Sequence, residues 1–267
     1  MELQGRLESL KQQGISVIGV SYDPVPVIAD FAARRHIAFP LLSDPESSTI
    51  KRYGIFNTTV PETNQQTYGI PFPGTFMLNA QRIVTARFFE PAYQERNTVA
   101  SILARLGGQL AVPATKISSP QLTITSYATD TTVAPGTHFS LVLDVSPAPG
   151  IHVYAPTVVG YKPVILSIEP QTWLLTRAAQ YPRVETYHFK PLNEQVHVYQ
   201  KPFRIVQDVA LDASPEAQAA LKDVTSMTIK GTLGYQACDD RLCFSPQTVR
   251  LSWPISIRPL DRERAKR

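Results

Sequence analysis

The sequence predicts an α/β half followed by an all-β half. Helical and strand spacings alternate up to about residue 110, and short alternating apolar segments between Pro and Gly turns take over from Leu122. The stretch between them is small, Pro-bearing and weakly patterned, which is the composition of a linker. At 267 residues the chain is long enough for two domains, each with its own core. The expected boundaries are an α/β domain over 1–110, a linker at 111–120, a β domain over 121–257 and a basic tail at 258–267.

In the first half, Leu3, Leu7 and Leu10 share one helical face, and Gly14 stands where a left-handed cap would end that helix. Residues 15–21 (Ile-Ser-Val-Ile-Gly-Val-Ser) read as a buried strand that Asp23-Pro24 stops, and Val27 to His36 returns to helical spacing. Phe39 to Ser43 is a short extended piece. Asp44-Pro45 reads as an N-cap with Pro at the first helical position, opening a helix that ends at Tyr53-Gly54. Thr75 to Leu78 and Ile83 to Phe88 form two strands around the turn Asn79 to Arg82, and a last helix spans about Gln94 to Leu106, before Gly107-Gly108. The order is α-β-α-α-β-β-α.

In the second half, strands are expected at 122–125, 138–145, 151–155, 165–168, 203–206, 227–233 and 249–257, interrupted by one short helix from Ser214-Pro215 to Lys222. Seven or eight short strands with Pro and Gly turns argue for a β-sandwich of immunoglobulin-like architecture. The 23 prolines suit such loop-rich structure with exposed strand edges.

Composition excludes several functions. The net charge is +4, but the tail from Arg258 to Arg267 holds four Arg and one Lys against one Asp and one Glu, so the excess is a solvated end and not a nucleic-acid groove. No apolar run approaches the roughly 18 residues that a membrane span needs. The amino terminus is amphipathic and lacks the apolar centre of a signal peptide. Read literally the chain is cytoplasmic; an export signal upstream of Met1 would make it periplasmic.

Both cysteines, Cys238 and Cys243, lie in the stretch Gly234 to Pro246, between the strands at 227–233 and 248–253. They sit at a hairpin end, where two strands can bring them within the roughly 4.4–6.8 Å Cα separation of a disulfide. Two readings stay open: a redox dithiol and a structural staple. A zinc site lacks ligands, since there is no CxxC pair and no His cluster to complete four. No metal, flavin or nucleotide motif is present, so no cofactor is expected. Asp239 and Asp240 disfavour a thiolate beside them while Arg241 favours one.

Four first-half motifs, Val17 to Asp23, Phe39 to Asp44, Tyr53-Gly54-Ile55 and Pro73 to Asn79, occur in an order that resembles the peroxiredoxin (AhpC/TSA-type) branch of the thioredoxin fold, over about residues 1–108. The resemblance implies a cis proline at Pro73, before the third core strand. In that family the reactive cysteine follows the first core strand, whereas this chain begins inside the next helix, and its first half holds no cysteine. The fold is therefore expected to be incomplete, with two strand edges left without the strand between them. As written it is not a competent peroxidase.

The second half, over about 120–256, resembles the amino-terminal domain of the thiol–disulfide interchange protein DsbD. Gly150-Ile151-His152-Val153-Tyr154, Tyr187 to Phe189 through Val198-Tyr199, and Tyr235-Gln236-Ala237-Cys238 with Cys243-Phe244-Ser245-Pro246 carry it. The resemblance implies that Cys238 and Cys243 exchange electrons with a thioredoxin-like or other thiol–disulfide protein. It also implies that His152 and Tyr154 lie on an aromatic strand near them and that Phe189 caps the pair, with Tyr199 and Tyr235 expected to help shape the site. Pro73 is a site-shaping residue by the first resemblance, which places it beside that family's reactive sulfur. The plain alternative makes Tyr154, Phe189 and Tyr199 core aromatics. Two further readings of the whole chain are a binding scaffold with a structural disulfide, and a piece of a longer thiol peroxidase whose catalytic Cys lies upstream of Met1.

Overall fold

The structure is a computed structural model that describes residues 2–64, 68–89, 96–189 and 193–259. It is mixed α/β and strand-rich, with 41% strand against 16% helix, as a small helical share confined mostly to the first half predicts. The chain divides into two compact units, Met1–Ile102 and Leu103–Arg267.

The first unit opens with α1 (Glu2–Gly5) and α2 (Leu7–Gln12), whose Leu7 and Leu10 are buried, and Gly14 at φ +75° turns the chain as expected. β1 (Gly19–Ser21), α3 (Val25–Arg35), β2 (Leu41–Ser43) and α4 (Ser48–Arg52) follow. Only the last three residues of the strand expected at 15–21 pair, in parallel with β2 through Gly19–Leu41, Val20–Leu42 and Ser21–Ser43. The next partner would be Pro40, which has no N–H to donate and offers only its carbonyl to the Gly19 N–H at 2.9 Å. The helix expected from Asp44-Pro45 begins later, at Ser48, but Asp44 still caps it: its carboxylate accepts from the Ile50 N–H at 2.9 Å and the Ser48 hydroxyl at 3.0 Å.

β3 (Gly74–Leu78) and β4 (Val84–Phe89) form an antiparallel hairpin, its turn closed by the Asn79 side-chain oxygen Oδ1, which accepts from the Gln81 and Ile83 N–H groups at 3.0 and 2.9 Å. The β1–β2 and β3–β4 ladders are separate sheets, and neither has a third strand among the described residues. The cis bond expected at Pro73 is not found: no described peptide is cis. The segment enters β3 by pairing Pro71 with Phe56 and donating the Phe72 N–H to the Ile55 carbonyl at 2.7 Å, which an extended trans linkage serves. β5 (Arg96–Asn97) precedes α5 (Val99–Arg105). Gln94, the expected start of this helix, lies outside the described residues; among those described the helix starts at Val99, and the Thr98 hydroxyl caps it by accepting from the Ser101 N–H at 3.0 Å.

The second unit contains β6 (Thr115–Ser118), β7 (Leu122–Ala128), β8 (Thr132–Val133), β9 (Thr137–Pro147), β10 (His152–Tyr154) and β11 (Ile165–Ile168). β12 (Leu174–Thr176), β13 (Glu185–Phe189), β14 (Glu194–Tyr199) and β15 (Phe203–Leu211) continue it. After α6 (Pro215–Ala220), capped by the Ser214 hydroxyl, come β16 (Ser226–Tyr235), β17 (Ala237–Cys238) and β18 (Gln247–Ile257). One antiparallel sheet has the order β12-β15-β9-β7-β6, and a second sheet, mixed because β8 pairs in parallel with β18, has the order β11-β16-β18-β8. The stretch expected as linker thus contributes an edge strand, β6, whose single apolar side chain, Ile117, packs on the core and gives little alternation to read.

Alternating residues of the two sheets fill one core, with Phe139, Leu141 and Leu143 of β9 and Ile205 of β15 clustered with Ile229 and Leu233 of β16 and Trp253 and Ile255 of β18. Each such buried side chain contributes about 1.5–3 kcal/mol. Arg204 forks onto Asp144 at 2.6 and 3.0 Å and donates to the Ala104 and Gly108 carbonyls of the same unit at 3.3 and 2.9 Å. A third sheet, β13-β14-β10-β17, carries the cysteines.

Candidate functional site

The cysteines are held by a smaller device than the hairpin the sequence suggested. β16 and β18 pair up to Tyr235–Gln247, and the chain between them leaves that sheet so that Ala237 and Cys238 pair with Val153 and His152 of β10. Cys238 and Cys243 then face each other across their own antiparallel bridge, flanked by the Phe244 N–H to Ala237 carbonyl bond at 2.8 Å and the Asp239 N–H to Leu242 carbonyl bond at 3.0 Å. The two sulfurs form a disulfide, with Cα atoms 4.0 Å apart, closer than the expected range. The four residues of the loop are fixed by Asp239, whose carboxylate accepts from the Arg241 and Leu242 N–H groups at 2.7 and 2.8 Å. Those bonds, from Leu242 first and Arg241 next, hold the Asp239 carboxyl below its ordinary value.

The two sulfurs differ in access. Cys238 is 1% exposed, in a cluster with Tyr154, Val196 and Val198, whereas Cys243 is exposed. Beside them lies a cavity of about 150 Å³, lined by His152, Tyr154, Tyr161, Phe189, both cysteines and the loop residues Asp239, Arg241 and Leu242. The Tyr154 hydroxyl is 3.5 Å from each sulfur; a disulfide carries no proton, so the tyrosine is the donor to both. Burial pushes the Tyr154 hydroxyl up to about 12, so it remains a donor at any ordinary pH.

Two tyrosines not expected as site residues pack here, Tyr161 on the cavity wall and Tyr187 against His152. Tyr161 stacks on Tyr154 with centroids 4.3 Å apart and donates to Glu194 at 2.5 Å. Tyr187 lies over His152 at 4.5 Å and donates to Asp240 at 2.7 Å. Those carboxylate bonds raise both hydroxyls above the usual tyrosine value. His152 is 3% exposed, and burial lowers it, opposed by Asp240 and Asp239.

Cys238, Cys243, His152, Tyr154 and Phe189 are brought together around this cavity. Tyr199 and Tyr235 are not. Side chains alternate along a strand, so Val196 and Val198 of β14 face Cys238 while Tyr199 turns to the main core, stacked on Phe203 at 4.4 Å. Tyr235 lies on the core face of β16 with Leu233, 1% exposed. Pro73 belongs to the first unit, which contains no cysteine. Among the described residues no group of three or more His, Cys, Asp or Glu side chains could hold a metal, and no helix is long and apolar enough to cross a membrane.

A strand-rich chain with a disulfide set in an aromatic cavity is thus the class that fold and site define. Two family models match it: residues 1–87 match the AhpC/TSA family, and residues 120–252 match thiol:disulfide interchange protein DsbD, N-terminal. These are the two resemblances read from the motifs, the first ending somewhat earlier than expected. Among solved structures, the N-terminal periplasmic domain of ScsB from Proteus mirabilis is similar at 14% identity and TM-score 0.33, over 52% of this chain and 49% of that one. This chain therefore spans about half the length of that relative. The GAE domain of GGA2p from Saccharomyces cerevisiae matches at 8% identity and TM-score 0.29, over 52% of this chain and 96% of that one. The SrpA adhesin from Streptococcus sanguinis matches at 19% and 0.25, over 57% and 61%. No curated protein matches the sequence at a significant level. The two family matches and the Cys238–Cys243 disulfide together point to thiol–disulfide redox chemistry.

Proposed function

We propose that this chain is a thiol–disulfide exchange protein that relays electrons through the Cys238/Cys243 dithiol to a thioredoxin-like partner. The observation that carries the reading is the unequal access of the two sulfurs, Cys243 exposed and Cys238 1% exposed beside an aromatic cavity. A partner thiolate reaches the Cys243 sulfur, the disulfide breaks, and Cys238 is the leaving sulfur. In the delivering direction the Cys243 thiolate attacks a partner disulfide and Cys238 resolves the mixed disulfide. Tyr154 donates to the sulfur that carries negative charge, and Phe189, on the cavity wall, serves as the cap that partner binding displaces.

With this function goes a finer reading of the fold: an incomplete thioredoxin-like first unit and an immunoglobulin-like sandwich in the second. The test is the reduction potential of the pair, followed by thiol-labelling mass spectrometry across glutathione and dithiothreitol buffers. A value of about −180 to −270 mV, the span of working carriers, supports exchange. Resistance to reduction until well below about −300 mV would make the bond a staple and the protein a scaffold.

A further inference from the structure

The exchange just proposed leaves one proton unassigned. When a thiolate attacks Cys243, the electron pair of the broken bond goes to Cys238, a sulfur that is 1% exposed and packed against Val196 and Val198. A thiolate buried in such surroundings is costly, and a proton must arrive as the charge develops. His152 is the cross-strand partner of Cys238 in the β10–β17 ladder, and both side chains line the same cavity. Its ring is held between Tyr187, at 4.5 Å, and Tyr154, at 5.7 Å, and makes no hydrogen bond among the described residues.

We propose that His152 is the proton carrier of Cys238: it protonates this sulfur as the disulfide opens and takes the proton back when Cys238 attacks. This rests on the exchange reading above. In the loading direction a donor thiolate bonds to the Cys243 sulfur and the disulfide breaks. Cys238 then receives the electron pair together with the proton of a protonated His152. The donor's second thiolate next attacks the donor sulfur of the mixed disulfide, Cys243 leaves with the electron pair as a thiolate, and the donor is left as a disulfide. In the delivering direction the Cys243 thiolate bonds to one sulfur of the partner disulfide, and the other partner sulfur leaves with its electron pair and is protonated from water. Neutral His152 removes the Cys238 proton, Cys238 bonds to Cys243, and the first partner sulfur leaves as a thiolate. The partner has gained two electrons, the pair is oxidised, and His152 returns its proton to solvent through the cavity.

The other groups around the cavity cannot fill this role. From β10, the Tyr154 hydroxyl is pushed up to about 12 by burial and keeps its proton. From β13 and the 155–164 segment, Tyr187 and Tyr161 are raised by their bonds to Asp240 and to Glu194 of β14. In the loop, Asp239 is held ionised by backbone N–H groups, and the Arg241 guanidinium offers hydrogen-bond donors and no acceptor. Asp240 receives the Tyr187 hydroxyl. Only an imidazole changes charge near neutral pH, and the carboxylates of Asp239 and Asp240 favour its protonated form while burial opposes it.

The experiment is the second-order rate constant for reduction of the full chain by dithiothreitol from pH 5 to 9, divided by the thiolate fraction of the reagent. In the wild type this corrected constant falls by at least about tenfold as pH rises through the His152 titration, since general acid assistance is lost. His152→Phe keeps a ring between Tyr187 and Tyr154 and gives a flat profile at the low value. His152→Gln gives the same flat profile with a polar side chain. In the wild type alone, the His152 ring C–H resonance titrates at a different pH in the oxidised and the dithiol protein. A flat wild-type profile, an unchanged profile in both variants, or one His152 titration midpoint in the two redox states overturns the proposal. A disulfide that dithiothreitol does not open at any pH overturns instead the exchange reading beneath it.

Discussion

The hydroxyl of Tyr187 donates to the carboxylate of Asp240 at 2.7 Å, joining strand β13 to the loop that the disulfide closes. Two residues further along that strand is Phe189, on the cavity wall. One hydrogen bond therefore links the strand that carries Phe189 to the loop. Tyr187→Phe keeps the ring over His152 and loses only this bond. The exposed bond contributes about 0.5–1.5 kcal/mol, so reduction of the disulfide by dithiothreitol is expected to be a few-fold faster, with the unfolding midpoint little changed. Equal rates in variant and wild type would mean that the bond does not restrain the site.

Phe189→Ala opens the cavity wall. Alkylation of reduced Cys243 by iodoacetamide is expected to accelerate several-fold, while Cys238, shielded by Val196 and Val198, stays slow. Peptide mass spectrometry separates the two sulfurs. Equal acceleration at both would show that Phe189 supports the packing of β10 and β14 and does not act as a cover.

Gly231→Ala tests the contact between β11 and β16. A methyl group there would stand 2.6 Å from the Ser167 carbonyl oxygen, 3.1 Å from Ile168 Cδ1 and 3.3 Å from Trp253. The backbone oxygen cannot turn aside as a side chain would, so a loss of about 1–3 kcal/mol is expected in urea unfolding.

Stability should also respond to pH through His152. Burial lowers its folded value, and the unfolded chain binds a proton at about 6.5. Between the two values the unfolded state holds a proton that the fold does not, so the contribution is full above about pH 6.5 and is lost as pH falls toward the folded value. The difference in unfolding free energy between wild type and His152→Phe is expected to vary with pH across that window and to be constant above it.

Much of this was legible in the sequence because it is local. The cysteine loop, the alternating strands β7, β9, β16 and β18, and the His152-Val153-Tyr154 strand each declare themselves within a few residues. Tyr161 and Tyr187 did not. Each earns its place by a partner far along the chain, Glu194 for one and Asp240 for the other, through pairings of β13, β14, β10 and β17 that no spacing reveals. Tyr199 and Tyr235 misled for the opposite reason: they adjoin motif residues in sequence, and strand alternation turns them into the main core. The trans bond before Pro73 shows a family expectation overridden by local pairing, since Phe56 and Ile55 fix that segment in extended form.

The bridge between Cys238 and Cys243 is flanked on both sides by backbone hydrogen bonds that do not depend on the sulfurs. Opening the disulfide need not let its ends drift apart. Each sulfur then meets the other at the effective concentration of an intramolecular neighbour, far above that of any second protein in solution. In the proposed exchange, a partner caught on Cys243 would be displaced soon after it binds, so encounters would be brief and turnover set by arrival and departure. A chain with Cys238→Ala has no such neighbour, and should hold its partner long enough for it to be isolated and identified.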